Sequence, residues 1–223
     1  MNQIPENLYK FLNELKNNNN REWFAENKDR YNQLKISSSL AFDDIQRGLG
    51  VTDQLENHKI FRVYRDVRFS KNKLPFKTNL STSIHREGKQ LRGGYYIHLE
   101  PNNNFIACGF WNPNKEDLFR IRKELELEYE EFSNLLGKKD LKNQWGELFG
   151  EQLKSCPKGF DKEHEAIHWL RFKQFILKKN FTNEECMSED FSKKVIESFV
   201  SARPFLDFMT LALTTDLNGE PLF

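Results

Sequence analysis

The chain has 223 residues, a formal net charge of +1 and 20 Phe against 3 Met. A chain of this length buries well over half of its unfolded surface without disulfide or metal staples, and its core is expected to be aromatic. Near-zero net charge excludes a generally polycationic protein, and no run of ~18 apolar residues is available to span a bilayer.

The N-terminus, Met1 to Glu6, has no basic segment followed by an apolar run, so no secretory leader is expected. Leu8, Phe11, Leu12 and Leu15 recur at i, i+3, i+4 and i+7, which predicts an amphipathic helix beginning near Pro5. A second helix is predicted over 21–47 from Phe24, Tyr31, Leu34, Phe42 and Ile45, with a weak point at Ser37-Ser38-Ser39 and a stop at Gly48 and Gly50. From Ile60 the period changes to two. Phe61, Val63, Val67 and Phe69 alternate with Arg62, Tyr64, Asp66 and Arg68, which predicts a strand over 60–69 followed by a loop over 70–77.

Further strands are expected near 79–85, 94–100 and 105–111, with turn chemistry between them. Their short connections require antiparallel pairing, giving about four strands. Asn114, with Asp117 three residues on, caps a predicted helix over 115–136. Gly146 and Gly150 suit a hairpin over 144–155, followed by a short helix over 161–170 and a strand over 172–181. Helices over 188–202 and 204–213 close the chain. The expectation is one α+β domain over residues 1–223, a central antiparallel sheet packed by N-terminal, middle and C-terminal helices. Cys108, Cys156 and Cys186 are odd in number and lack CxxC spacing, which predicts free thiols and a cytoplasmic protein. Cys108, inside an apolar strand, reads as core.

Charge is unevenly spread. Ten Lys and Arg lie between Lys59 and Arg92 against only Asp66 and Glu87, so this stretch carries +8. On the predicted strand Arg62, Asp66 and Arg68 share a face, with Asp66 placed to orient both guanidinium groups. Ser70, Lys71, Lys73 and Lys77 follow, and Tyr64 and Arg65 lie within the run. Arg forks onto phosphate or carboxylate while Lys acts as a mobile point charge, so the mixture suits an anionic ligand. The plain alternative is a solvated strand face carrying a surface ion-pair network.

The run Arg62-Val63-Tyr64-Arg65-Asp66-Val67-Arg68-Phe69-Ser70-Lys71-Asn72-Lys73-Leu74-Pro75-Phe76-Lys77 resembles the signature of the family known as domain of unknown function 2461. Three more pieces fit it in the same order: 18–24 (Asn-Asn-Asn-Arg-Glu-Trp-Phe), 94–101 (Gly-Tyr-Tyr-Ile-His-Leu-Glu-Pro), and 157–161 (Pro-Lys-Gly-Phe-Asp) followed by His164. The resemblance spans nearly the whole chain and implies no particular activity or cofactor. It departs from the family at Glu165, where His-Pro is usual, which leaves only His164 as a shared feature of that turn.

His164-Glu165-Ala166-Ile167-His168 matches HExxH, the metallohydrolase pattern, but it opens a short helix and does not sit inside a long one, so no metal site is expected. His98 and Glu100 share a strand face with Tyr96, which makes His98, with Asp66, a candidate for acid–base work. A structural histidine satisfied by its neighbour is the plain alternative. Phosphate-loop, dinucleotide, nucleophile-elbow and kinase signatures do not occur.

Three functions fit these features, and catalysis is left open. The first is a pocket for a small phosphate- or carboxylate-bearing ligand on Arg62 to Lys77. The second is a nucleic-acid surface with Tyr64, Phe69 and Phe76 available for stacking. The third is an assembly module in which the basic stretch meets an acidic face such as Glu124 to Glu131. The first is preferred, because Asp66 and Pro75 look like devices that fix geometry. Oligomeric state is not readable.

Overall fold

The structure is a computed structural model describing residues 2–216 and 218–222. Its elements run α1 (Glu6–Asn17), α2 (Arg21–Leu49), β1 (Lys59–Ile60), β2 (Leu80–His85), β3 (Gly94–Leu99), β4 (Asn104–Phe110), α3 (Lys115–Leu127), α4 (Tyr129–Gly137) and α5 (Lys139–Trp145). They continue with α6 (Ile167–Leu170), β5 (Phe175–Phe181), α7 (Asn183–Cys186), α8 (Phe191–Ser201) and α9 (Arg203–Thr214). The five strands form one antiparallel sheet in the order β1-β2-β3-β4-β5, so each strand lies beside its neighbour in sequence. The architecture is α+β, as the alternating periods predict.

Contacts divide the chain into two compact units. One comprises residues up to Ile84, Tyr96–Ile106 and Asn180–Glu197; the other comprises His85–Tyr95, Ala107–Lys179 and the chain from Ser198 onward. The boundaries fall within β2, β3, β4, β5 and α8 and not at a linker, which is why composition along the chain does not mark them.

In the first unit α1 buries Leu8, Phe11, Leu12 and Leu15, the stripe its period predicts. Tyr9 is also buried and donates its hydroxyl to Asn104 Oδ1 at 2.8 Å. Asn20 caps α2 by accepting from the Trp23 amide at 2.9 Å. The serine run does not interrupt this 29-residue helix. Each hydroxyl instead donates back to a carbonyl of the preceding turn: Ser37 to Gln33, Ser38 to Leu34 and Ser39 to Ile36. Gly48 lies within the helix and does not end it. A Cβ there would stand 2.4 Å from Ile196 Cδ1, so its smallness serves the packing of α2 on α8.

In the second unit Asn114 Oδ1 accepts from the Asp117 amide at 2.8 Å, the cap expected for α3. The predicted single helix over 115–136 is broken at Glu128 (φ −106°, ψ 39°) into α3 and α4. The break does not part the acidic run: the Glu128 amide still donates to Glu124 O at 2.7 Å, so the two remain like charges at i, i+4. Glu124, pressed by burial and by the charges of Glu128 and Glu131, already has its carboxyl pushed above the usual range.

The hairpin expected over 144–155 is also corrected. Helix α5 ends in Trp145, whose indole N–H reaches Ser198 O at 3.1 Å, and the chain then bridges β5 at Phe149↔Ile176 and next to it at Gln152↔Phe172. The short helix expected over 161–170 shrinks to α6. Pro204 stands in the first turn of α9, where its missing N–H costs nothing. Phenylalanine does fill the core, with Phe11, Phe42, Phe76, Phe132, Phe175 and Phe199 all fully buried. All three cysteines are free; Cys108 and Cys186 are buried, and burial pushes the Cys186 thiol up to about 12. Among the described residues no helix is long and apolar enough to cross a membrane.

Candidate functional site

The basic segment is not the strand its alternation predicts. β1 ends at Ile60; past it Phe61 N still donates to Ser81 O at 2.9 Å, and the next pairing of the segment is the bridge Tyr64↔Phe76. Around that bridge Arg65 N donates to Pro75 O at 2.8 Å and Lys77 N to Val63 O at 2.7 Å, so 63–65 and 75–77 form a short ribbon closed by the loop 66–74.

Local chemistry explains the difference. Asp66 Oδ1 accepts from the Arg68 amide (3.2 Å), Ser70 Oγ from the Asn72 amide (3.1 Å) and Asn72 Oδ1 from the Leu74 amide (3.0 Å). The first takes an amide that the strand would need, and the other two order the loop that follows. Pro75 has no amide to contribute. Of the alternating apolar residues Phe61 and Phe69 are exposed, Phe69 by 96%, and of the four only Val63 is buried.

The ribbon is tied to the start of α2. Asn19 Oδ1 accepts from Phe76 N at 3.1 Å while its Nδ2 donates to Phe76 O at 3.0 Å, replacing a strand partner. Arg65 Nε donates to the same carbonyl at 2.8 Å, which fixes its guanidinium plane. Phe24 of α2 stacks on Phe76 with centroids 4.1 Å apart, and Tyr64 closes the cluster 5.3 Å from Phe76.

Between the ribbon and α2 lies a cleft of about 350 Å³ lined by Arg21, Phe24, Ala25, Lys28, Tyr64, Arg65, Val67, Pro75 and Phe76. Its floor is aromatic and its rim cationic. No carboxylate lines it among the described residues.

The structure therefore separates the expected site residues. Tyr64 and Arg65 enter the cleft. Arg62 and Arg65 act on Lys77, whose ammonium stands 5.5 Å from the Phe61 ring centroid; burial, joined by those two charges, pulls the Lys77 ammonium below the usual lysine range. Asp66 does not orient two guanidinium groups. It takes Arg68 alone, at 3.0 and 2.7 Å, in a solvent-exposed fork. Ser70 is used by its turn, Lys73 Nζ donates to Val67 O at 2.9 Å, and Lys71 stays in solvent.

Arg21, Phe24 and Lys28 were not among the expected residues. Their spacing of three and four along one helix face is a signal that could have found them, since it flanks a buried aromatic with two cations.

On β3 the expected row is assembled. Tyr96 Oη lies 3.1 Å from His98 Nδ1, and His98 Nε2 lies 3.3 Å from Glu100 Oε2. Thr78 and Asn103 also donate to Glu100, at 3.1 and 2.7 Å. Burial opposes ionisation of Glu100, but the hydrogen bonds from Asn103, His98 and Thr78 outweigh it and hold the carboxyl below its usual range.

A depressed folded-state value contributes stability that is present above the unfolded-state value, ~4.3, and is lost as pH falls through the folded one. Glu100→Gln is thus expected to flatten the loss of urea stability between pH 5 and pH 3 (a range of about two units spanning the carboxylate values). An unchanged acid limb would show that the carboxylate is not linked to folding.

His164 lies outside α6, and its Nδ1 accepts from the Ala166 amide at 3.0 Å. His164 and His168 therefore lack the shared helical face that the HExxH chemistry needs. Among the described residues no group of three or more His, Cys, Asp or Glu is placed to hold a metal ion.

A family model described as "Conserved hypothetical protein (DUF2461)" matches residues 7–208. The chain belongs to that family. No curated protein and no solved structure matches it. Two of the motif pieces that carry the DUF2461 resemblance, 18–24 and 62–77, are the two walls of the cleft, joined through Asn19 and Phe76.

Proposed function

We propose that this protein binds a small phosphate- or carboxylate-bearing ligand in the cleft between α2 and the 63–77 ribbon. The observation that carries the reading is the lining: Arg21, Lys28 and Arg65 around Phe24, Tyr64 and Phe76, with no acidic residue among the described ones. Three cations without a counter-charge favour an anion, and Arg65, already fixed through Nε, keeps its terminal N–H fork for a bidentate contact. The aromatic floor suits a ligand with a flat apolar part beside its anionic group. The free cysteines are consistent with a reducing, cytoplasmic setting.

A second reading has its own observation. Phe69 stands almost wholly in solvent with Arg68 6.0 Å from its ring, and Lys71 is exposed beside it, an arrangement that suits stacking of a single-stranded nucleic acid.

Thermal shifts with phenyl phosphate and with an oligothymidylate separate the two. Ligand at a hundred times its Kd adds ~2.7 kcal/mol of native-state stability. In the cleft reading phenyl phosphate raises Tm, the Arg21→Ala/Lys28→Ala/Arg65→Ala variant abolishes the shift, and Arg62→Ala/Arg68→Ala keeps it. In the strand reading the oligonucleotide alone shifts Tm, steeply dependent on salt, and the Arg62/Arg68 variant loses it. The Arg62/Arg68 variant is expected to keep the wild-type unliganded Tm, because both side chains are exposed; the cleft variant also loses the Arg65 bond to Phe76 O, about 1 kcal/mol, so its shift is read against its own unliganded Tm.

A further inference from the structure

β3 presents a second arrangement beside the basic segment. The Glu100 carboxylate has no proton to donate, so His98 Nε2 carries the hydrogen and Nδ1 is left to accept from Tyr96. Phe105 stacks on the imidazole at 4.6 Å and 15°, which holds the ring plane, while Thr78 and Asn103 hold the carboxylate. Burial leaves the Tyr96 phenol above its usual range, so ionisation needs a base. Phe61 links this row to the cations: its ring lies 6.0 Å from that of Tyr96 and 5.5 Å from the Lys77 ammonium. Tyr96 itself is partly exposed, whereas only 11% of the His98 side chain is.

We propose that Tyr96, His98 and Glu100 are nucleophile, base and orienting group for phosphoryl transfer from a phosphate diester, with Lys77 offsetting the substrate charge. The order of roles follows the geometry shared by activated nucleophiles: an attacking hydroxyl in contact with a base, and the base held by a third group. A diester fits better than a monoester, because its single charge repels an incoming phenolate less.

Tyr96 Oη attacks phosphorus as its proton passes to His98 Nδ1. The new O–P bond forms while one ester P–O bond breaks, and the departing alkoxide takes a proton from solvent. Glu100 stabilises the imidazolium, which then returns its proton to solvent. Water cleaves the Tyr96–phosphate bond, restoring the phenol and releasing a phosphate monoester. This inference rests on the reading that the basic segment receives an anion.

The test is incubation of the full chain with bis(p-nitrophenyl) phosphate. The expected result is a burst of p-nitrophenolate and a nitrophenyl-phosphoryl adduct mapping to Tyr96 by peptide mass spectrometry. Tyr96→Phe, which removes only a hydroxyl, is expected to abolish both. His98→Asn and Glu100→Gln are expected to slow the burst by about 100-fold or more. The wild-type rate is expected to rise with pH as the His98 base loses its proton, and to level off once it is neutral. No burst with the wild type, an adduct on another residue, or a burst that survives Tyr96→Phe overturns the relay. Phenyl phosphate binding measured alongside separates the two readings: binding without an adduct removes the relay alone, and an adduct without cleft binding removes the cleft alone.

Discussion

Gly109→Ala is expected to destabilise the protein by about 3 kcal/mol or more, the upper range for a single substitution. Gly109 sits in β4 at φ 123°, a conformation open to glycine and costly for any residue with a side chain. A Cβ at that position would stand 2.2 Å from Phe175 O, and the neighbour is backbone of β5, so no flexible side chain can yield. Relief would require β4 and β5 to separate where they pair. Gly137→Ala is the internal control, because nothing lies within 4 Å of a Cβ there. Urea melts of both variants should show a large loss of midpoint for the first and almost none for the second. A Gly109→Ala protein with wild-type stability would mean that the β4–β5 approach is not as close as described.

Asp207→Ala is expected to cost about 1.5–3 kcal/mol, because it removes a charged acceptor from a buried guanidinium. The Arg86 side chain is 0% exposed; Nη2 donates to Asp207 Oδ1 at 2.6 Å and Nη1 to Thr210 Oγ1 at 3.0 Å. Asp207 is half in solvent and also receives Arg203 Nε at 3.3 Å, which places the loss below that of a fully buried pair. Asp207→Asn keeps an acceptor oxygen and should recover part of the loss. Equal stability of all three proteins would show that Asp207 does not carry the pairing of Arg86.

The elements that were legible from sequence share one property: a single period unopposed by local side-chain bonds. Leu8, Phe11, Leu12 and Leu15 announce α1, and the strands over 80–85, 94–99 and 104–110 fall within a residue or so of their expected bounds. The strand expected over 60–69 failed although its alternation is clean. Asp66, Ser70 and Asn72 bond their own backbone, and Phe61 and Phe69 alternate without being buried. The helix over 115–136 is interrupted at Glu128, and apolar periodicity carries no signal of that change of direction.

Half of the candidate cleft was legible, because Tyr64 and Arg65 lie in the basic run. The other half, Arg21, Phe24 and Lys28, comes from a helix about forty residues earlier in the chain. It is brought there by one amide, that of Asn19, pairing with Phe76. The spacing of Arg21, Phe24 and Lys28 marks a helix face, but not the ribbon with which that face pairs. The two motif pieces that carry the family resemblance did flank it. The row Tyr96, His98 and Glu100 was legible because period two alone puts alternate residues on one face.

The central claim is that an anion is held in the cleft by Arg21, Lys28 and Arg65. Its most direct measurement is an NMR titration with phenyl phosphate, following the Arg65 Nε–H resonance, which is anchored on Phe76 O. The account predicts a saturable shift of that resonance together with the Phe24 and Tyr64 rings, and an affinity that falls about tenfold for each cation removed. Shifts confined to the exposed loop over 68–74, with Arg65 unmoved at saturation, would contradict it.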